Sequence, residues 1–256
     1  MPLNITPLPL LQDNYAFIVH AGDTGPVAVI DPSEAQPVID FLEERGLRLD
    51  YVFNTHHHWD HTGGNAELKR YYQCTVIGPE YDRHRIAELD IGLLEGQEFR
   101  LGAEIGQILH IPGHTLGHIL LWFRNSDVAF CGDTLFSLGC GRMFEGTATQ
   151  MWASLQKVMA LPQETKLYCG HEYSAANGRF ALEVDPDNLP LQKRCKQIQD
   201  QRRHGTPSIP TTVAEELQCN PFLRVDSPAI RRALGLPPDV CNAEVFGSLR
   251  LRKDVF

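Results

Sequence analysis

Apolar residues in the first two thirds of the chain fall into short β-branched or aromatic runs, each closed by turn residues. Ala16-Phe17-Ile18-Val19 and Val27-Ala28-Val29-Ile30 predict strands, the second ending at Asp31-Pro32. From Gln36 to Arg45 the apolar positions Val38, Ile39, Phe41 and Leu42 follow a helical spacing, and Gly46 stands where a helix C-terminus favours glycine. Four further runs share one plan, an apolar stretch followed at once by a polar cluster. Tyr51-Val52-Phe53-Asn54 leads into Thr55-His56-His57-His58, and Ile108-Leu109-His110-Ile111 into Pro112-Gly113-His114. Asp127-Val128-Ala129-Phe130-Cys131 leads into Gly132-Asp133, and Lys166-Leu167-Tyr168-Cys169 into Gly170-His171-Glu172. A layered sheet can bring such strand ends to one edge, where ligands usually bind. An α/β fold is predicted for this part.

After about residue 174 the β-branched runs give way to helix signals. Leu189 to His204 is helical in composition and stops at Gly205-Thr206-Pro207; Thr212-Val213-Ala214-Glu215 has capping-box spacing, and Ser227-Pro228 suits an N-cap and first helical residue. The chain therefore divides into residues 1–173, which carry the polar clusters, and a small all-helical domain over 174–256. It contains neither an internal repeat nor a low-complexity stretch.

Composition narrows the function classes. With 256 residues, 43% hydrophobic and 21% charged, the chain has the make-up of an ordinary soluble protein, and no window approaches the roughly 20 apolar residues of a membrane span. The start, Met1-Pro2-Leu3-Asn4-Ile5-Thr6-Pro7, lacks the basic and apolar regions of a secretory signal, so a cytoplasmic location is expected. A net charge of −9 without a compensating basic block disfavours nucleic acid as a partner, and an anionic substrate would need local cations. Seven scattered cysteines, none in a CxxC pair, argue against a disulfide framework or zinc ribbon; each reads as a small buried hydrophobe.

The histidines carry the chemistry. In an extended segment His56 and His58 project to one side and His57 to the other, so two ligands can share an ion. Asp60 and His61 follow, before Thr62-Gly63-Gly64, whose glycines are expected to allow close approach to a second cation. His20, His84, His110 and His204, standing alone, read as surface or satisfied core residues. His56, His58, Asp60, His61, His114, Asp133 and His171 form a set of seven donors without cysteine, more than a closed structural zinc site needs. Seven donors suit two divalent cations with open positions, each ion having three ligands of its own if Asp133 bridges, and imidazole with carboxylate fits zinc, manganese or iron better than copper. Water on such ions reaches a pKa of about 7, which points to hydrolysis.

Thr55-His56-His57-His58-Trp59-Asp60-His61 resembles the T-H-x-H-x-D-H hallmark of the metallo-β-lactamase superfamily. Pro112-Gly113-His114-Thr115-Leu116-Gly117-His118, Cys131-Gly132-Asp133-Thr134-Leu135-Phe136 and Gly170-His171-Glu172-Tyr173 follow in the superfamily's order. Nearly the whole chain is similar to the glyoxalase II (hydroxyacylglutathione hydrolase) family, including Gly139-Cys140-Gly141-Arg142, Glu145-Gly146-Thr147, Asn220-Pro221-Phe222-Leu223-Arg224 and the basic ending. The resemblance implies an αββα sandwich with a small C-terminal helical domain that binds substrate. It implies one ion on His56, His58 and His114, another on Asp60, His61 and His171, and Asp133 on both. His118 is then a supporting residue rather than a ligand.

The implied substrate is a dianionic glutathione thioester such as S-D-lactoylglutathione, hydrolysed to glutathione and D-lactate in methylglyoxal detoxification. Arg142, Tyr173, Arg250 and Lys253 match the family's glutathione-contacting positions and supply the cations that an acidic chain requires. Attack by a metal-bridging hydroxide is implied, with Asp60 and Asp133 orienting it and no protein nucleophile. Zinc is the expected metal and a monomer the expected state. Phe144 stands where the family often has Tyr and cannot donate a side-chain hydrogen bond; Glu172 is expected to serve packing. The rival within the superfamily is a persulfide dioxygenase with one iron, disfavoured by the helical domain and basic tail. A β-lactamase would bring a secretory signal, RNA-processing relatives a basic surface, and a metal-storing module would show no turnover.

Overall fold

The computed structural model describes residues 3–256; Met1 and Pro2, part of the segment read for a signal, lie outside the described residues. Two units are distinguished, one running to His110 and including Thr115–Gly132, the other made of Ile111–His114 and Asp133–Phe256.

The first unit opens with a six-stranded sheet in the order β1 (Leu3–Leu10), β2 (Asn14–Ala21), β3 (Val27–Ile30), β4 (Tyr51–Phe53), β5 (Thr75–Pro79), β6 (Ile91–Leu93). Pairing is antiparallel as far as β3 and parallel from β3 onward. The hydrophobic pattern does not predict β1, because Pro7 and Pro9 remove two donors; the strand forms because it is the sheet's edge, where those donors have no ladder to complete. Parallel strands need crossovers, supplied by α1 (Gln36–Glu44) between β3 and β4 and by a short α2 (Trp59–Thr62) with α3 (Asn65–Tyr72) between β4 and β5. Alternation along the strands then builds two interfaces. Ala16, Ile18, Val29 and Val52 join Val38 and Leu42 of α1 and Leu68 of α3 in one buried cluster. Phe17 and Phe53 point the other way and meet Phe130 and Phe99 at ring-centroid distances of 5.5 and 5.8 Å. Those partners belong to an antiparallel set, β7 (Glu98–Leu101), β8 (Glu104–His110), β9 (Ile119–Phe123) and β10 (Val128–Gly132). Helices, sheet and second sheet thus follow as layers.

The second unit contains the hairpin β11 (Leu135–Phe136) and β12 (Gly139–Cys140), α4 (Ala148–Met159), β13 (Lys166–Cys169), α5 (Ser174–Val184) and α6 (Leu189–Arg203). It closes with β14 (Thr211–Thr212), α7 (Val213–Cys219), α8 (Pro228–Leu234) and α9 (Asn242–Asp254). The region after 174 is helical as predicted, apart from β14, which pairs with β13. Thr212 caps α7 by accepting from the Glu215 amide, and Pro228 opens α8. A reciprocal Thr147/Gln150 capping box starts α4. Phe180, Phe222, Phe246 and Trp152 form an aromatic column with centroid spacings of 5.9, 6.0 and 6.2 Å.

Six cysteines are buried as expected, whereas Cys241 is exposed at the entry to α9. Burial pushes the Cys140 thiol up to about 11 and those of Cys169 and Cys219 up to about 12, which keeps them protonated and inert. Among the described residues, no helix is long and apolar enough to cross a membrane.

Candidate metal centre

The four predicted strand-to-cluster segments are strands β4, β8, β10 and β13, each delivering its polar residues just past the strand end. His56 and His58 lie in the loop after β4 rather than in an extended strand, His58 being the residue that enters α2. They still converge, with Nε2 of His56 3.1 Å from Nδ1 of His58. That spacing is close to the roughly 3.3 Å between two nitrogens bound tetrahedrally at about 2.0–2.1 Å from zinc. His57 points away, its Nδ1 2.8 Å from the buried Asp82 carboxylate.

Within the first unit, the remaining donors are held by partners that leave one ring nitrogen available. His56 Nδ1 lies 3.1 Å from the Thr55 hydroxyl and His61 Nδ1 3.1 Å from Asp31 Oδ2, so each keeps Nε2 for an ion. His61 Nε2 faces Asp60 Oδ2 at 3.7 Å. Asp60 is fixed in turn by Asn14, whose amide donates to its carbonyl at 3.0 Å and its carboxylate at 3.1 Å. Ser33 also donates to the Asp60 carbonyl. Asp31, which in the sequence marks only the end of an apolar run, follows β3 directly and belongs to this group. Its carboxylate accepts from the Thr55 amide and hydroxyl at 2.7 and 2.6 Å, and its donor atoms lie within 4.8 Å of those of His56 and His61. The signal available in the sequence is the Asp-Pro pair at a strand end.

The glycines act differently from expectation. Gly63 and Gly64 are both right-handed, and a Cβ at Gly63 would stand 2.5 Å from the Ser33 carbonyl oxygen. They admit the backbone of residues 32–35 rather than a cation. Gly132 has the stronger requirement, since its φ is +47° and a Cβ would lie 2.4 Å from Thr55 Oγ1. His118 is fully buried and stacks on His56 at 4.7 Å and 14°, consistent with support rather than ligation. His20, His110 and His204 satisfy themselves on carbonyls of Gly25, Leu116 and Asp200.

In the second unit, one carboxylate oxygen serves two imidazoles. Asp133 Oδ2 is 3.5 Å from His114 Nε2 and 3.2 Å from His171 Nε2, all three residues being buried. The other nitrogen of His114 is held by the Arg142 carbonyl at 2.8 Å. Tyr173 stacks on His171 at 4.7 Å and 4°. Both units therefore present imidazole and carboxylate donors, with the outer nitrogens of His56, His61 and His114 held by neighbours, a set that fits divalent metal ions.

The expected substrate cations also assemble. Asp254 Oδ1 lies 3.4 Å from Arg142 Nε and 3.1 Å from Arg250 Nη2. Lys253 Nζ sits 5.3 Å from the Phe180 ring centroid, and burial, followed by Arg250, Arg179 and Arg142, lowers its pKa below the ordinary lysine value. Arg250 differs from the solvated helix residue its tail position suggests: it is only 4% exposed and donates to the Cys140 carbonyl at 2.8 Å. Phe144 is 62% exposed, its ring edge-on to His114 at 5.2 Å. Glu172 accepts from the Ser208 amide and hydroxyl, as a packing role requires.

Residues 8–171 match the model of the metallo-beta-lactamase superfamily, and residues 172–256 that of the hydroxyacylglutathione hydrolase C-terminus. The chain belongs to the hydroxyacylglutathione hydrolase family. It is 51% identical to the hydroxyacylglutathione hydrolase of Methylococcus capsulatus and 48% identical to that of Rhodopseudomonas palustris strain BisB5, over 99% of both chains in each case. Among solved structures it is similar to ETHE1 from Myxococcus xanthus, with a TM-score of 0.67, 24% identity and coverage of 100% of this chain and 99% of that one. That likeness speaks for the fold alone. Family and fold agree with the α/β metallo-β-lactamase-like sandwich and C-terminal helical domain predicted from the sequence.

Proposed function

We infer that this chain hydrolyses the thioester of an S-(2-hydroxyacyl)glutathione, such as S-D-lactoylglutathione, releasing glutathione and a 2-hydroxy acid. The carrying observation is the seat of Asp133 between His114 and His171, in a chain that matches hydroxyacylglutathione hydrolases end to end. In this reading His56, His58 and His114 hold one ion, Asp60, His61 and His171 a second, and Asp133 contacts both. Zinc is the proposed metal; iron and manganese suit the same donors. When bound, the ions supply an acidified water, with a pKa of about 7, and Lewis-acid polarisation of the thioester carbonyl.

The protein's own contribution is placement. Asp60 and Asp133 accept hydrogen bonds from the attacking water and aim it, and the sulfur departs as thiolate without a protein nucleophile. Arg142, Tyr173 and Lys253 meet the peptide part of the substrate. Arg250 contributes its charge from beneath and holds Asp254 and the Cys140 carbonyl in place. Residues 1–173 serve as the metal domain and 174–256 as the substrate-binding domain of a cytoplasmic monomer acting in methylglyoxal detoxification.

The test is incubation with S-D-lactoylglutathione, following thioester loss, with metal analysis of the same sample. Turnover with about two equivalents of metal is expected. Oxygen uptake with glutathione persulfide, without thioester loss, would replace this reading by a persulfide dioxygenase.

A further inference from the structure

His57 stands between two candidate metal ligands and has no part in the function proposed above. Its Nδ1 lies 2.8 Å from Asp82 Oδ2, and the two side chains are only 9% and 4% exposed. Asp82 ends a single 3-10 turn after β5, Glu80–Asp82. Its carbonyl accepts from the amides of Arg85 and Ile86 at 2.8 and 3.1 Å, so the carboxylate is mounted on a fixed backbone. Burying a carboxylate costs free energy unless its oxygens are engaged, and an apolar side chain of similar size would fill the space without that cost. A buried acid at this point therefore calls for a geometric role.

The same oxygen meets a second segment. The Gly117 backbone packs so closely on it that a Cβ there would stand 2.2 Å from Asp82 Oδ2. Gly117 precedes His118, which stacks on His56 at 4.7 Å, and the Ile119 amide donates to the Thr55 carbonyl at 2.9 Å. Tyr81, beside Asp82, stacks on His110 at 4.0 Å and 15°, and His110 Nε2 lies 2.8 Å from the Leu116 carbonyl. The turn after β5 thus braces two loops that meet at His56, the one after β4 and the one before β9. Residues 56–58 and 115–118 belong to no helix or strand interior, so side-chain contacts rather than a regular backbone ladder set their shape.

We propose that Asp82 is a positioning residue for the metal centre: through His57 and Gly117 it fixes the loops on both sides of His56, holding His56 and His58 at the spacing an ion requires. This rests on the metal-ligand reading above.

The experiment measures zinc affinity by competition with a chromophoric chelator for the full chain, for Asp82→Ala, His57→Ala and Asp82→Asn, and for the Asp82→Ala/His57→Ala double variant, beside thermal melts of the metal-stripped proteins. Asp82→Ala and His57→Ala are each expected to weaken zinc binding by about fivefold to twentyfold, towards the lower end of what losing a partner of a ligand produces. The double variant should match the weaker single one, because the two side chains act through one contact. Asp82→Asn keeps an acceptor of the same shape for His57 and is expected to stay within about twofold of wild type. Wild-type affinity in both alanine variants overturns the proposal while leaving the metal-ligand reading intact. Losses that multiply in the double variant overturn it too, since they mark independent effects. So does an Asp82→Asn variant as impaired as Asp82→Ala, or a lowered melting temperature of the metal-stripped alanine variants with zinc affinity unchanged, which marks packing alone. A wild-type protein that binds no zinc overturns the metal-ligand reading itself and this proposal with it.

Discussion

Asp31 Oδ2 lies 3.1 Å from His61 Nδ1 and 2.6 Å from the hydroxyl of Thr55, whose Oγ1 is in turn 3.1 Å from His56 Nδ1. One buried carboxylate therefore sets the ring orientation of His61 directly and of His56 through a hydroxyl. Outer partners of this kind commonly change metal affinity by about 10- to 100-fold. Asp31→Asn keeps the shape but replaces one acceptor by a donor. It is expected to weaken metal binding by that order, measured by competition with a chromophoric chelator. Unaltered affinity would exclude a positioning role for Asp31.

Asp133 is the residue whose loss should reach both ions. Its Oδ2 faces His114 and His171 together, so Asp133→Ala removes a donor common to both imidazoles rather than one ligand of one ion. The variant is expected to lose both metals and all thioesterase activity, whereas His171→Ala should retain one equivalent. Elemental analysis of the purified variants distinguishes these outcomes. Wild-type metal content in Asp133→Ala would refute the bridging assignment.

Arg250 and Lys253 separate in their expected effects, although both stand in one basic tail. Lys253 is half-buried, its Nζ 5.3 Å from the Phe180 ring centroid, so Lys253→Ala should chiefly raise KM for the glutathione thioester. Arg250 is buried against the Cys140 carbonyl, Asp254 and the Phe222 ring. Arg250→Ala strips a donor from a buried carbonyl and is expected to cost on the order of 3 kcal/mol of stability in addition to raising KM. Thermal melts run beside the kinetics check the split. A purely kinetic defect in Arg250→Ala would contradict the structural half of its role.

The candidate donors are legible because their chemistry is written locally: seven of them follow four apolar runs, and those runs form β4, β8, β10 and β13. Asp31 was not, because its importance arises from β3 and β4 lying side by side in parallel, a pairing that places it against Thr55 and His61 across more than twenty residues of chain. The burial of Arg250 was equally hidden. A cation near the end of a charged helix reads as solvated, and only the packing of α9 brings it against β12 and Phe222. β1 was obscured by its prolines, whose cost vanishes at a sheet edge. Local pattern thus marks the candidate donors, while tertiary pairing decides which residues hold them in place.

Glu216 offers a test of how the second unit is held together. It is fully buried; its carboxylate accepts from the Leu138 amide at 2.9 Å, from the Asn220 amide group at 2.8 Å and from the Thr211 hydroxyl at 2.7 Å. Asn220, from the Asn-Pro-Phe motif, also donates to the Gly139 carbonyl at 2.9 Å, so the pair pins the turn of the β11–β12 hairpin. Burial raises the Glu216 pKa above its ordinary value despite these donors. With the folded pKa above the unfolded one, the native state binds more protons in the interval between them. The residue's contribution is then fully present below the unfolded value of 4.5 and is lost as pH rises through the folded pKa. Glu216→Gln preserves the acceptor for Leu138 and Asn220, and its amide can donate to the Thr211 hydroxyl, which has Glu215 as an alternative acceptor at 2.9 Å. The variant should match or exceed wild-type stability at neutral pH and remove this residue's part of the decline, whereas Glu216→Ala strands the buried donors and should lose about 1–3 kcal/mol. Urea unfolding of the three proteins at pH 5 and pH 8 measures the difference; a Glu216→Gln protein whose stability falls with pH as steeply as wild type's would exclude Glu216 as a source of that dependence.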